Sequence, residues 1–109
     1  MARSAQLTAD LRASLQRMRR YLHAALKDDW GANALEEVLR HVEPVLVDLD
    51  GRQAPDESVR RRVSALGAQL EASERARVFA ITDDLEKETQ VLKPLLEAHL
   101  ESLQVGGAA

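Results

Sequence analysis

The chain has 109 residues, of which 45% are apolar and 30% charged, and its formal net charge is −3. This balance is typical of one globular domain and excludes general disorder, which requires low hydrophobicity and high net charge. The absence of cysteine excludes disulfides and thiolate metal sites. No apolar run is long enough for a membrane span or a signal-peptide core, so we expect a soluble, cytoplasmic protein without a membrane partner.

The first helix is predicted over residues 4–28. Leucines recur every three or four residues, which keeps one helical face apolar. A turn at residues 28–33 follows, because Gly31 and Asn33 favour non-helical conformations. The apolar stripe consists of Leu7, Leu11, Leu15, Met18, Leu22 and Leu26.

A second helix is predicted to begin with Asn33 as its N-cap, since Glu36 stands three residues further on, at the spacing of a capping box. Pro44 lies inside the helical pattern and predicts a kink, because proline removes a backbone donor. Gly51 predicts the end of the helix, and residues 51–55 read as a linker. The apolar stripe consists of Leu35, Val38, Leu39, Val42, Val45, Leu46 and Leu49.

Pro55 or Asp56 is predicted to open a third helix, with the stripe Val59, Val63, Leu66 and Leu70. The pattern weakens over residues 71–77, where Ser73 could cap a new helix or the helix could run on. We favour a break, since one helix over residues 55–103 would span roughly 70 Å. The last helix contains Pro94 and the stripe Val78, Ile81, Leu85, Leu92, Leu95, Leu96, Leu100 and Leu103.

These elements predict an all-α four-helix bundle, built as two antiparallel αα-hairpins, with one domain over residues 1–103 and a frayed tail over 104–109. A long C-terminal helix shared across a dimer is an alternative arrangement. Residues 35–46 and 85–96 show similar patterns, each with a late proline. Duplication and chance explain this echo equally well.

Charge alternates along the predicted helices. Residues 1–27 hold six basic and one acidic side chain, and residues 28–50 hold one basic and seven acidic. Residues 51–70 hold four basic and two acidic, and residues 71–109 hold four basic and eight acidic. Neighbouring helices of a bundle would therefore carry opposite signs, which favours pairing specificity more than stability.

A basic row on the first helix is the candidate interaction surface, together with the single tryptophan. Its residues are Arg12, Arg19, Arg20, His23, Lys27 and Trp30. Such rows occur in nucleic-acid binders, but the net negative charge of the chain argues against that partner. A solvated face or a helix–helix contact is the simpler interpretation. Trp30 covers the end of the core or anchors a contact. A second basic cluster, at residues 60–62, is read as solvated.

Metal and cofactor motifs are weak, and we predict no cofactor. None of the three histidines has a carboxylate three residues before it, as a di-iron bundle requires. An acidic group at Glu71, Glu74, Asp83 and Glu86 offers the weak alternative of a magnesium site. It is loosely similar to the acidic pairs of all-α nucleotide pyrophosphohydrolases, although its second pair has the reverse order and the pairs stand closer together. We assign no family from this pattern.

The sequence therefore predicts a non-catalytic helical interaction or oligomerisation protein, such as a small regulator, adaptor or chaperone-like partner. We expect a homodimer, with a protein partner as a further possibility. The alternative is a magnesium-dependent nucleotide or phosphate-ester hydrolase that uses the acidic group.

Overall fold

The computed structural model describes residues 2–28, 32–51 and 56–108. They form four α-helices, which are α1 (Ala2–Lys27), α2 (Ala32–Asp50), α3 (Glu57–Arg75) and α4 (Asp83–Ala108), and a short 3₁₀ helix (Val78–Ile81) between α3 and α4. The predicted all-α four-helix bundle is confirmed.

The helices pack in a ring, in which each contacts the next and α4 returns to α1. The short connections make successive helices antiparallel, as in an up-down-up-down bundle. The particle measures 45 × 23 × 22 Å. The predicted stripes supply most of its core, because a stripe of about 100° on each helix can face a common axis. Ala25 and Phe79 join the core from outside those stripes. The core residues are Leu11, Leu15, Met18, Leu22, Ala25, Leu35, Val38, Val42, Val45, Leu46, Val63, Leu66, Leu70, Phe79, Leu85, Leu92 and Leu96.

The second helix begins at Ala32, two residues before the position that an N-cap at Asn33 predicts. Asn33 lies in its first turn, so the prediction that Asn33 is the N-cap is wrong. Gly51 follows the last helical residue, as predicted, and its N–H donates to the carbonyl of Val47 at 3.0 Å. The helix runs through Pro44 without interruption, and the kink stays a prediction.

The break between α3 and α4 is confirmed, but Ser73 does not cap the new helix. Ser73 is buried inside α3, where its hydroxyl accepts a hydrogen bond from Gln69 at 3.2 Å. Helix α3 ends two residues later, and Arg77 then takes the left-handed conformation with φ 60° that often closes a helix. The cap of α4 is Thr82, whose hydroxyl accepts from the N–H of Leu85 at 3.2 Å.

The start of α3 and the two ends of α4 can be compared with the predicted boundaries. Asp56, one of the two predicted openers of α3, is its N-cap, and its carboxylate accepts from the N–H of Val59 at 3.1 Å. Val78 and Ile81, predicted in the last helix, belong instead to the 3₁₀ helix, which carries Phe79 into the core. Helix α4 is assigned through Ala108, so the backbone is helical over most of the predicted tail.

No helix among the described residues has both the length and the hydropathy needed to cross a bilayer.

Candidate functional site

Ion pairs connect every pair of neighbouring helices in the ring. At three of the four contacts, the basic side chain lies on the helix of net positive charge and the acidic side chain on the helix of net negative charge, as the charge alternation predicts. At the α3–α4 contact the local signs are reversed, since the lysine lies on acidic α4 and the glutamate on α3. The bridges are Arg12 with Asp50 (3.0 Å), Arg62 with Asp48 (2.6 Å), Lys93 with Glu74 (2.6 Å) and Arg17 with Glu88 (2.7 Å).

The basic row of α1 divides into two parts. Its α2-facing members are paired: Arg12 also donates to the carbonyl of Leu49 at 2.7 Å, and both Arg19 and His23 approach Glu43, at 3.6 and 3.9 Å.

The remaining members, Arg20 and Lys27, are exposed and form no ion pair with another described residue. Three members of the basic row, Arg12, Arg19 and His23, therefore take part in the contact between α1 and α2. A helix–helix contact was one of the two simpler interpretations of this row. Trp30 lies outside the described residues.

The arginines at the start of α3 serve the fold in a similar way. Arg62 makes a bidentate contact with Asp48 of α2, through hydrogen bonds of 2.6 and 2.9 Å. This hydrogen bond raises the pKa of the Arg62 guanidinium above its usual value. Arg60 pairs with Glu57 in its own helix, and Arg61 is exposed. The cluster is thus partly engaged within the chain.

A polar network that the sequence analysis missed lies between α1 and α4. The carboxylate of Glu88 is buried and accepts hydrogen bonds from the hydroxyl of Ser14 at 2.7 Å and from Arg17 at 2.7 and 3.1 Å. The hydrogen bond between Arg17 and Glu88 raises the pKa of the Arg17 guanidinium above its usual value. Glu88 lies between Leu85 and Leu92 on the core face of α4. A carboxylate among core positions needs a polar partner, and this pattern is the feature of the sequence that could have predicted the network.

The acidic group predicted as a weak magnesium site is not assembled. Glu74 is engaged by Lys93 at 2.6 Å and by Gln90 at 2.7 Å. The hydrogen bond from Lys93 lowers the pKa of Glu74 below its usual value. Glu74 and Glu86 border one cleft and Glu71 another. No group of three or more potential metal ligands exists within the described ranges. The structure therefore does not bring Glu71, Glu74, Asp83 and Glu86 together as one set of ligands.

An open groove of about 290 Å³ separates α3 from α4. Its walls are largely apolar and include Leu96 and Leu100, and a Cβ at Gly67 would project into open space, since it would meet no atom within 4 Å. Glu71 and Glu97 also line this groove. Lys93 lines it as well, so the groove can accept an apolar side chain beside a rim that carries both signs of charge.

Among the side chains that the structure describes, two large apolar ones are exposed on the outside of the bundle. Val47 of α2 is 68% exposed and Val91 of α4 is 45% exposed. Pro94 and Lys87, three and four residues away from Val91, are exposed as well. Helix α4 thus presents apolar surface on its outer side in addition to the groove it shares with α3.

The three histidines belong to no group of three or more potential metal ligands among the described residues. His41 contacts the backbone carbonyl of Glu37, four residues earlier in α2, at 2.8 Å. His99 lines a cavity of about 160 Å³ at the end of the bundle, together with Leu49 and Leu103. Burial there lowers the pKa of His99 below its usual value of 6.5. A neutral imidazole at this position fits a packing role.

Comparison with known proteins finds no matching family model, no similar curated protein and no similar solved structure.

Proposed function

We propose that the protein is a non-catalytic helical interaction protein that acts as a homodimer. The observation that carries the proposal is the uncovered apolar surface of α4. Val91 and Pro94 are exposed on its outer side, and Leu100 is only partly covered beside the groove. Exposed apolar positions on one helix are a feature of surfaces that bind other proteins.

The distribution of polar groups supports the same proposal. The charged side chains that lie between helices are used to join those helices, as in the contacts of Glu88 with Arg17 and of Asp48 with Arg62. Such contacts fix which helices are neighbours. The side chains that remain available for other contacts are therefore those on the outside of the bundle, above all on α4.

Native mass spectrometry of the purified full-length chain tests this function, because it reports subunit number and bound mass together. We expect a dimer whose fraction rises with concentration and no additional mass when Mg²⁺ and a nucleoside triphosphate are supplied. A chain that stays monomeric at every concentration contradicts the proposal. So does a stoichiometric adduct with the metal and nucleotide, which would instead favour hydrolase chemistry.

A further inference from the structure

The outer side of α4 carries a strip of five residues that are spaced four, three, four and three positions apart. This spacing keeps them on one helical face, as in the seam of a coiled coil. Val91 and Pro94 are exposed near the middle, and Ala98 is half-buried. The strip consists of Lys87, Val91, Pro94, Ala98 and Glu101.

The ends of the strip carry opposite charges. Lys87 and Glu101 lie seven residues on either side of Pro94, which is about 10 Å along the helix axis in each direction. Both are exposed, and neither forms an ion pair or hydrogen bond with another described residue. Both charges are therefore available to a partner.

The surroundings of the other exposed valine differ. Val47 lies near Glu43 and Asp50, and each of these carboxylates is already paired with an arginine of α1. Arg40, two turns before Val47 in α2, is paired with Glu37 at 3.0 Å. Exposed apolar surface and unpaired opposite charges thus coincide on α4 and not around Val47.

We propose that this strip joins two copies of the chain, with their α4 helices antiparallel about a twofold axis at Pro94. The proposal deepens the proposed function and rests on it. In this arrangement Lys87 of one copy faces the partner's Glu101, and symmetry repeats the pair at the other end. A parallel arrangement would oppose like charges. The unpaired charges therefore favour the antiparallel orientation.

The middle of the strip suits close contact between two helices. Ala98 is small enough to let the backbones approach, and Val91 supplies apolar area to each side of the axis. Pro94 has no N–H, so its burial leaves no backbone donor of its own without a partner. One strip on each helix makes a contact at the small end of the range for protein interfaces, so the dimer is expected to dissociate on dilution.

The test is sedimentation equilibrium of the full-length chain and of three variants, Lys87→Glu, Glu101→Lys and the double exchange. Each single variant turns both ion pairs of the dimer from attractive to repulsive and is expected to weaken dimerisation by roughly tenfold. The double exchange restores the opposite charges in reversed order. It is expected to return the dissociation constant to within about threefold of the parent value.

A matched pair of variants tests the apolar part of the strip. Val91→Glu buries a carboxylate in the proposed contact and is expected to weaken dimerisation at least tenfold. Val47→Glu makes the same change at the more exposed valine of α2 and is expected to leave dimerisation unchanged. Thermal unfolding of each variant checks that the bundle is intact.

The outcomes separate this surface from the function on which it rests. A parent chain that is monomeric at every concentration refutes both. A dimer that none of the α4 variants weakens refutes the surface and leaves the homodimer standing. Single variants that weaken the dimer without recovery in the double exchange overturn the antiparallel pairing. Assemblies larger than a dimer overturn the twofold contact.

Discussion

The buried network between α1 and α4 gives the most specific prediction about stability. Replacing Arg17 with methionine keeps an apolar stem of similar length but removes two of the three hydrogen bonds that Glu88 accepts. The remaining bond comes from Ser14. Because the side chain of Glu88 is only 7% exposed, its carboxylate cannot recover the lost contacts fully from water.

Breaking a fully buried ion pair costs about 3–5 kcal/mol. The side chain of Arg17 is 37% exposed, however, so water already screens part of its interaction with Glu88. We therefore expect Arg17→Met to lower the free energy of unfolding by about 2 kcal/mol, and the melting temperature by roughly 8 °C. Urea unfolding followed by circular dichroism measures the first quantity, and calorimetry the second.

Two further variants decide whether the network is the cause. In Arg17→Met/Glu88→Met the buried charge is gone as well, so the double variant should recover about 1 kcal/mol or more relative to Arg17→Met alone. Arg75→Met removes an exposed pair with Glu71 at 3.9 Å and should change stability by less than about 0.5 kcal/mol. If Arg17→Met matches this control, or if the two network substitutions are additive, the reasoning about Glu88 is wrong.

Three other predictions concern single sites. Gly67→Ala should raise the free energy of unfolding by about 0.5–1 kcal/mol in urea titrations, because a Cβ there meets nothing within 4 Å and alanine favours helix. A loss of stability would mean that the added methyl group meets other atoms and that the groove between α3 and α4 is closed at this position. Lys93 lowers the pKa of Glu74, so this pair contributes stability that is present above pH 4.5 and lost as the pH falls further. When the free energy of unfolding is measured against pH, Lys93→Met should make its decline below pH 4.5 less steep. An unchanged decline would contradict the pairing. Burial lowers the pKa of His99, so the unfolded chain binds a proton at a higher pH than the folded chain does, and the free energy of unfolding should fall as the pH drops below 6.5. His99→Gln should remove that decline between pH 7 and 5. A decline of equal slope in the variant would exclude His99 as its source.

The helices were predictable because their apolar spacing is regular. Leu11, Leu15, Met18 and Leu22 follow the helical period without exception, and all four are fully buried. Such a stripe specifies both the helix and the face that packs, whatever the partner helix is. The number of helices and the all-α class follow from four such stripes.

The details of the α3–α4 connection were less predictable. Ser73 and Thr82 are both good caps by residue type, and the choice depends on how far the core extends along α3. Ser73 falls on the core side, one turn after Leu70, so packing keeps it inside the helix. The helix closes at Arg77 in a left-handed conformation, where no glycine marks the end.

The network of Ser14, Arg17 and Glu88 could be suspected only in part. The position of Glu88 on the core face is visible in the sequence, but its partners lie more than 70 residues away. Their meeting depends on the axial register of α1 against α4, which periodicity alone does not determine. The strip on α4 could not be predicted from the sequence for a related reason. The spacing of its residues identifies an exposed face only when the opposite face of the helix is known to be buried.

The polar side chains on the two flanks of α1 bear on the direction in which the four helices wind around the core. Arg12 and Arg19 lie on the flank that faces α2, and Arg17 lies on the opposite flank, which faces α4. A bundle wound in the mirror-image order would keep the same neighbours but exchange these flanks. Arg17 would then leave Glu88 buried without its counter-charge, at a large energetic cost. The polar contacts of α1 thus favour the observed winding of the bundle over its mirror image.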